Sequence, residues 1–206
     1  MPSLAFRSRT RSETRRLRWL AVVVGVVWLG GLIGQTGLRP DYRELSVLYA
    51  FGLPAVMYVS GMFLLSMAVS RGRSGAGPRP RWVRLSVLIL PLLFVLSTLW
   101  IEVGDHSMIP QSAKAAWSAH LACGAMTLML GAIPFALALL ALRYAFPVHA
   151  TARGALVGLC CGLAAAATIH LHCPVTVTSH ILLSHGGPLL GLTLLGGLLG
   201  RRILRT

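Results

Sequence analysis

GALVGLCCGLAAAATIHLHCP, residues 154–174, decides how this chain is read. No Asp, Glu, Lys or Arg interrupts it, and a run of roughly 20 largely apolar residues is what an α-helix needs to cross the hydrocarbon of a bilayer. Gly154, Gly158, Gly162 and Ala166 recur at every fourth position, so they form one ridge, with His170 next along it. Small residues at that spacing let helix backbones approach closely, which drives association where hiding apolar surface from water gains nothing. Pro174 ends the helix, because proline disfavours helical backbone in the residue before it, and this sets Cys173 at the interface rather than deep in the hydrocarbon.

Working outward, the same apolar character recurs. Of the 206 residues 55% are hydrophobic and 12% charged, and mean hydropathy is +0.73, a membrane composition. Six stretches read as spans: Trp19 to Gly37, Leu45 to Ser70, Trp82 to Val103, Trp117 to Leu142, Gly154 to Leu171 and Val177 to Gly200. The expected fold class is therefore all-α, a polytopic bundle of six transmembrane helices. Residues 1–18 form a basic tail, 19–200 the six-helix domain, and 201–206 a second basic tail. Arg15-Arg16 before an apolar run invites comparison with a secretion signal. The run is long, lacks a small-residue cleavage site and is followed by five more spans, so a retained first helix is expected. Gly30 with Gly34, Gly187 with Gly191 and Gly196 with Gly200 are further small-residue pairs read as packing.

Charge orients the bundle. Of 19 Lys and Arg residues, six precede the first span, five lie between spans two and three, two between four and five, and three after the last. The other side holds only Arg39, Arg43 and Lys114, with Asp41, Glu44, Glu102 and Asp105. Positive charge stays in the cytoplasm, so both termini are expected inside. Trp19 and Trp82 then sit at the inner interface and Trp100 and Trp117 at the outer one, where indoles straddle water and hydrocarbon. The net charge of +14 is accounted for by orientation and by anionic lipid heads, and no nucleic-acid-reading motif accompanies it. Arg7, Arg9, Arg11, Arg15 and Arg16 remain as a basic arm for an acidic cytoplasmic partner.

Soft and titratable side chains gather at the outer helix ends: His120 and Cys123 on span four, His170, His172 and Cys173 ending span five, and His180 and His185 entering span six. His106 adds one in an outer loop, and His149 lies on the cytoplasmic side. His120 and Cys123 share a helix face, as do His170 and Cys173. Three readings stand side by side. Imidazoles and thiolates bind Zn, Cu or Cd; Cys123 and Cys173 form a disulfide in a permissive compartment; or the histidines cap helix ends while the cysteines pack. Adjacent Cys160 and Cys161 in mid-span, like Met57, Met62 and Met67, read as packing. A carrier would need polar groups at the midplane, and the spans hold almost none. A quinone-linked thiol oxidoreductase would show C-x-x-C, which is missing, and a haem protein would need facing histidines, for which His120 and His170 are the candidates.

GLRPD at 37–41, HLACGAM at 120–126, HLHCP at 170–174 and the closing HGGPLLGLTLLGGLLGRRILR, taken with the six-span plan, resemble the NrsF family of small bacterial inner-membrane anti-sigma factors. The resemblance implies a protein that is not an enzyme and that holds an extracytoplasmic-function sigma factor at the membrane until stress releases it. It also implies that Cys123 and Cys173 are the sensing pair for heavy metal or oxidant, and that Arg39, Pro40 and Asp41 shape the first outer loop, with Arg39 and Asp41 paired. The basic arm and the loop from Arg71 to Arg84 would contact the partner, and no direct contact with nucleic acid is implied. His170, His180 and His185 go beyond the family pattern and, with His120 and His172, tilt the sensor toward a soft divalent metal such as Zn or Cd. The alternative expectation is a membrane thiol, haem or metal-binding redox protein built on the same cluster.

Overall fold

In the computed structural model the described residues are 37–69, 117–142 and 149–203, with scattered positions between 20 and 35 and between 81 and 96. Among them every regular element is helical and there is no strand. Helix α1 is Leu53–Val69, entered through a π-helical turn at Leu48–Gly52. Helix α2 is Trp117–Leu142 and α3 is Ala150–His172. Helix α4 runs over Thr178–Ile203 as a short turn Thr178–His180, a π-helical segment Ile181–Gly186 and an α-helix Gly187–Ile203. These four helices are long and apolar enough to cross a membrane. The arginines Arg7, Arg9, Arg11, Arg15 and Arg16, His106, Trp19, Trp82 and Trp100 lie outside the described residues, as does most of the first and third expected spans.

Helix α3 is the axis of the bundle. Some 83% of its spanning window is buried, and its side chains Leu156, Val157, Leu159, Leu163, Ala166 and Ile169 are almost wholly enclosed. The small-residue ridge is what lets a second backbone lie against it. A methyl group on Gly154 would overlap the Gly196 carbonyl, and one on Gly158 would overlap the Leu192 carbonyl. On Gly162 it would come within 2.8 Å of Leu189 Cα, and on Gly200 within 2.5 Å of the Ala150 carbonyl. Helix α1 crosses at Gly61, where a methyl group would meet the Cys160 carbonyl at 3.0 Å. Cys160 and Cys161 are buried in the resulting core.

Among the described residues, no neighbour lies within 4 Å of where a methyl group would sit on Gly30, Gly34, Gly187 or Gly191. Four-residue spacing puts two glycines on one face without saying whether another helix is there. Elsewhere the outward surface is apolar: Leu48, Val59, Phe63, Met129, Leu194 and Leu198 are exposed, a belt that suits hydrocarbon rather than water. Hydroxyls inside the helices satisfy themselves locally, with Thr127, Thr168 and Thr193 each donating to the carbonyl four residues earlier, as threonines in apolar helices do.

Because α3 meets α4 backbone to backbone, Gly158→Leu is expected to force the pair apart and lower stability by about 1–3 kcal/mol or more. Gly191→Ala should cost nothing. Thermal unfolding of the detergent-solubilised protein checks both, and equal midpoints for the two variants would contradict the seam.

Candidate functional site

The end of the bundle where α3 stops and α4 starts is where the chemistry collects. Helix α3 closes with the Cys173 N–H donating to the Ile169 carbonyl, and Cys173 itself is extended. Pro174 has no N–H to continue the ladder. Further orphaned carbonyls at this end need donors, and they come from residues far away in sequence. The Arg39 N–H donates to the Leu171 carbonyl at 2.9 Å, and the Arg39 guanidinium reaches the Pro174 carbonyl at 3.3 Å. One ring nitrogen of His172 lies 3.1 Å from the Gly37 carbonyl, and Nε2 of His170 lies 3.2 Å from the Tyr49 carbonyl. The loop 37–41 therefore docks onto HLHCP. Gly37 takes a positive φ of 76°, which a glycine adopts freely.

Arg39 is only 2% exposed and is held by a fork of two bonds to Asp41, 2.7 Å from Nε and 2.8 Å from the terminal nitrogen. Its guanidinium also lies over the Tyr49 ring, 5.8 Å from the centroid, a cation–π arrangement. Burial works against the Arg39 charge, but the hydrogen bonds and attraction to Asp41 outweigh it, and the pKa is held above its ordinary value. Asp41 is shifted the other way, its carboxyl held below the usual range by the bond from Arg39.

Behind this loop stand the thiols. Cys123 of α2 and Cys173 place their sulfurs 3.6 Å apart, both as free thiols. Nε2 of His180 lies 3.3 Å from the Cys173 sulfur. One ligand atom from each of Cys123, Cys173 and His180 falls within 4.8 Å of the others, which makes this a candidate metal centre. Burial pushes the Cys173 thiol up to about 12, so it stays protonated at neutral pH.

Of the five histidines expected as ligands, only His180 joins the thiols. The His120 ring lies 4.8 Å from that of His180, and the His120 carbonyl accepts a bond from Ser184 Oγ. His185 lies 5.7 Å from His180 and 6.4 Å from His170, centroid to centroid, so the four rings make a row, buried except at half-buried His120. His170 is committed to Tyr49 and His172 to Gly37. His120 and His170, the candidates for a haem pair, therefore serve different neighbours. The π-helical segment explains the row. Five residues of α-helix would turn His185 about 140° from His180, whereas the wider π turn, common at functional sites, brings both to one face. Tyr49 and Ser184 belong to the site as well. Neither carried a sequence signal, since each acts through a partner on another helix. Among the described residues, buried ring nitrogens of His120, His180 and His185 meet no hydrogen-bond partner.

A family model described as NrsF, negative regulator of sigma F, matches residues 5–205. No curated protein and no solved structure matches the chain.

The Arg39–Asp41 fork gives loop docking a pH dependence. A carboxyl with a depressed folded pKa stabilises fully above its unfolded value, and the contribution is lost as pH falls through the folded one. Loop docking should thus weaken below the ordinary carboxylate range and be flat around neutral pH. Asp41→Asn is expected to cost about 1–2 kcal/mol at neutral pH and to remove most of that acid slope, as read by thermal midpoints across pH.

Proposed function

Since this chain belongs to the NrsF family, the negative regulators of sigma F, we propose that it is a membrane-embedded anti-sigma factor. It holds an extracytoplasmic-function sigma factor at the cytoplasmic face and releases it when a soft metal or an oxidant engages Cys123 and Cys173 at the opposite face. The chain crosses the bacterial inner membrane six times with both termini inside. Support for that topology comes from the arginine distribution and from the apolar surface of the described helices. The basic arm with Arg7, Arg9, Arg11, Arg15 and Arg16 supplies a cationic surface for an acidic partner, and the remaining positive charge meets anionic lipid. This role requires no catalytic residue.

The observation that carries the sensing half is the geometry of the three donors. Two Zn–S bonds of about 2.3 Å at a tetrahedral angle separate the sulfurs by about 3.8 Å, and a Zn–S with a Zn–N bond separates S from N by about 3.6 Å. The values here are 3.6 Å and 3.3 Å. Cys123, Cys173 and His180 thus suit an ion of the size of Zn. When bound, the ion would supply positive charge that displaces the two thiol protons and ties α2 to the end of α3. An oxidant reaches a similar result. The two S–H bonds break, an S–S bond forms, and two protons and two electrons pass to the oxidant.

Either event changes how α2 sits against α3. Helix α3 is locked along its length to α4, from Gly162 against Leu189 to Gly154 against Gly200, and α4 ends in Arg201 and Arg202. A shift at the thiols is then carried as a rigid displacement to the arginine end. Coupling of this kind needs two packings with different affinity for the outer ligand.

The double variant Cys123→Ser with Cys173→Ser should remain in the membrane and retain the sigma factor in a detergent co-purification. Cadmium or diamide, expected to release the factor from the unsubstituted protein, should then have no effect. If the double variant lets go of its partner as the unsubstituted protein does, the thiols are not the sensor. Recovery of no sigma factor from unstressed cells would overturn the regulator reading itself.

A further inference from the structure

We infer that Arg39 is the positioning residue of the thiol site: from the far end of the sequence it fixes Cys173 on both sides and so sets the distance between the two sulfurs. The inference rests on the sensing role proposed above. Cys173 is the first residue to leave the helix, and Pro174 cannot donate the hydrogen bond that would continue the ladder beyond it. Arg39 braces the backbone on both sides. Its backbone N–H holds the Leu171 carbonyl two residues before the cysteine, and its guanidinium holds the Pro174 carbonyl one residue after it. Asp41 fixes the orientation of the guanidinium through the two-bond fork, and the Tyr49 ring closes over it.

The arrangement needs arginine in particular. Five donors in a planar fork can bind a carboxylate through two bonds and still reach a carbonyl, whereas the lysine ammonium is a point charge that cannot reproduce the fork. Arg39 is enclosed, and its donors go to Asp41 and to the end of α3 rather than to the sulfurs. A buried charge is costly to keep, and here it braces the backbone that brings Cys173 to Cys123.

The test compares reactions that need both thiols with one that needs a single thiol, in the purified full chain carrying Arg39→Lys or Asp41→Asn. Cadmium binding is followed by thiolate-to-metal charge-transfer absorbance. Disulfide formation between Cys123 and Cys173 is driven by diamide, whose N=N bond takes up the two protons and two electrons to become the hydrazine. Maleimide addition at half-buried Cys123 is the single-thiol reaction, read by peptide mass spectrometry. Losing a group that orients a metal ligand typically costs about 10–100-fold in affinity, so Arg39→Lys should lose at least about tenfold in cadmium affinity and slow diamide closure. Asp41→Asn should fall between it and the unsubstituted protein, and maleimide addition at Cys123 should be unchanged.

Unaltered cadmium affinity and diamide closure in both variants would overturn the inference. So would maleimide uptake rising together at Cys123, Cys160 and Cys161, since that marks general loosening. Should Arg39→Lys not fold, Asp41→Asn decides alone. Failure of the unsubstituted protein to bind cadmium would remove the metal half of the sensing role, and the diamide comparison would still judge Arg39. Failure of both reactions in the unsubstituted protein would sink the two proposals together.

Discussion

The bundle depends on backbone-to-backbone contact between α3 and α4. Gly154 and Gly158 meet Gly196 and Leu192 so closely that no side chain fits between them. In hydrocarbon the hydrophobic effect does not hold helices together, and close van der Waals contact must do so. That contact fixes the rotation of α4 about its axis, the depth at which it starts and the direction in which α3 ends. α1 crosses the other face of α3 at Gly61, and α2 comes near α4 at Gly124, where a methyl group would lie 3.7 Å from Ser184 Cα. Once those phases are set, the ends of the helices have little freedom left.

The cysteine end is a consequence of that geometry. With α4 held by its second half, the π-helical segment Ile181–Gly186 absorbs the mismatch between the glycine seam and the residues that must face inward. His180 and His185 then share a face and His180 reaches Cys173. The loop 37–41 closes the end from outside, supplying donors to carbonyls that α3 cannot satisfy itself. GLRPD and HLHCP, two short signatures separated by more than a hundred residues, are thus two halves of one junction. The cost of burying the Arg39 charge is offset because its guanidinium donates to the Asp41 carboxylate and the Pro174 carbonyl and lies over the Tyr49 ring.

The pattern of apolar runs was legible along the chain, and so was the helical character of the described spans, because both follow from counting charges in windows. The ridge Gly154, Gly158, Gly162 was legible too, since it is dense and lies in a helix that must be buried. Gly187 with Gly191 looked equivalent, yet no neighbour among the described residues lies against either. Sequence spacing reports which residues share a face and not what lies opposite. The histidines show the same limit. All five candidate ligands stand near one end, but His170 and His172 are committed to backbone carbonyls, and only His180 meets the sulfurs. A π-helical turn leaves no mark that a period of 3.6 would detect.

By itself the sequence determined that this is an all-helical chain with membrane-spanning character, which end of each helix carries thiols and imidazoles, and to which family it belongs. Those properties are local or compositional, and hydrocarbon admits few solutions for an apolar segment. Only the tertiary structure decided that Cys123 and Cys173, fifty residues apart, come within 3.6 Å, that His180 rather than the other four histidines lies beside the Cys173 sulfur, and that Arg39 brackets Cys173. Each of these depends on the relative rotation and depth of two or more helices. Those rotations are set by the glycine contacts between α3 and α4, which no single segment encodes.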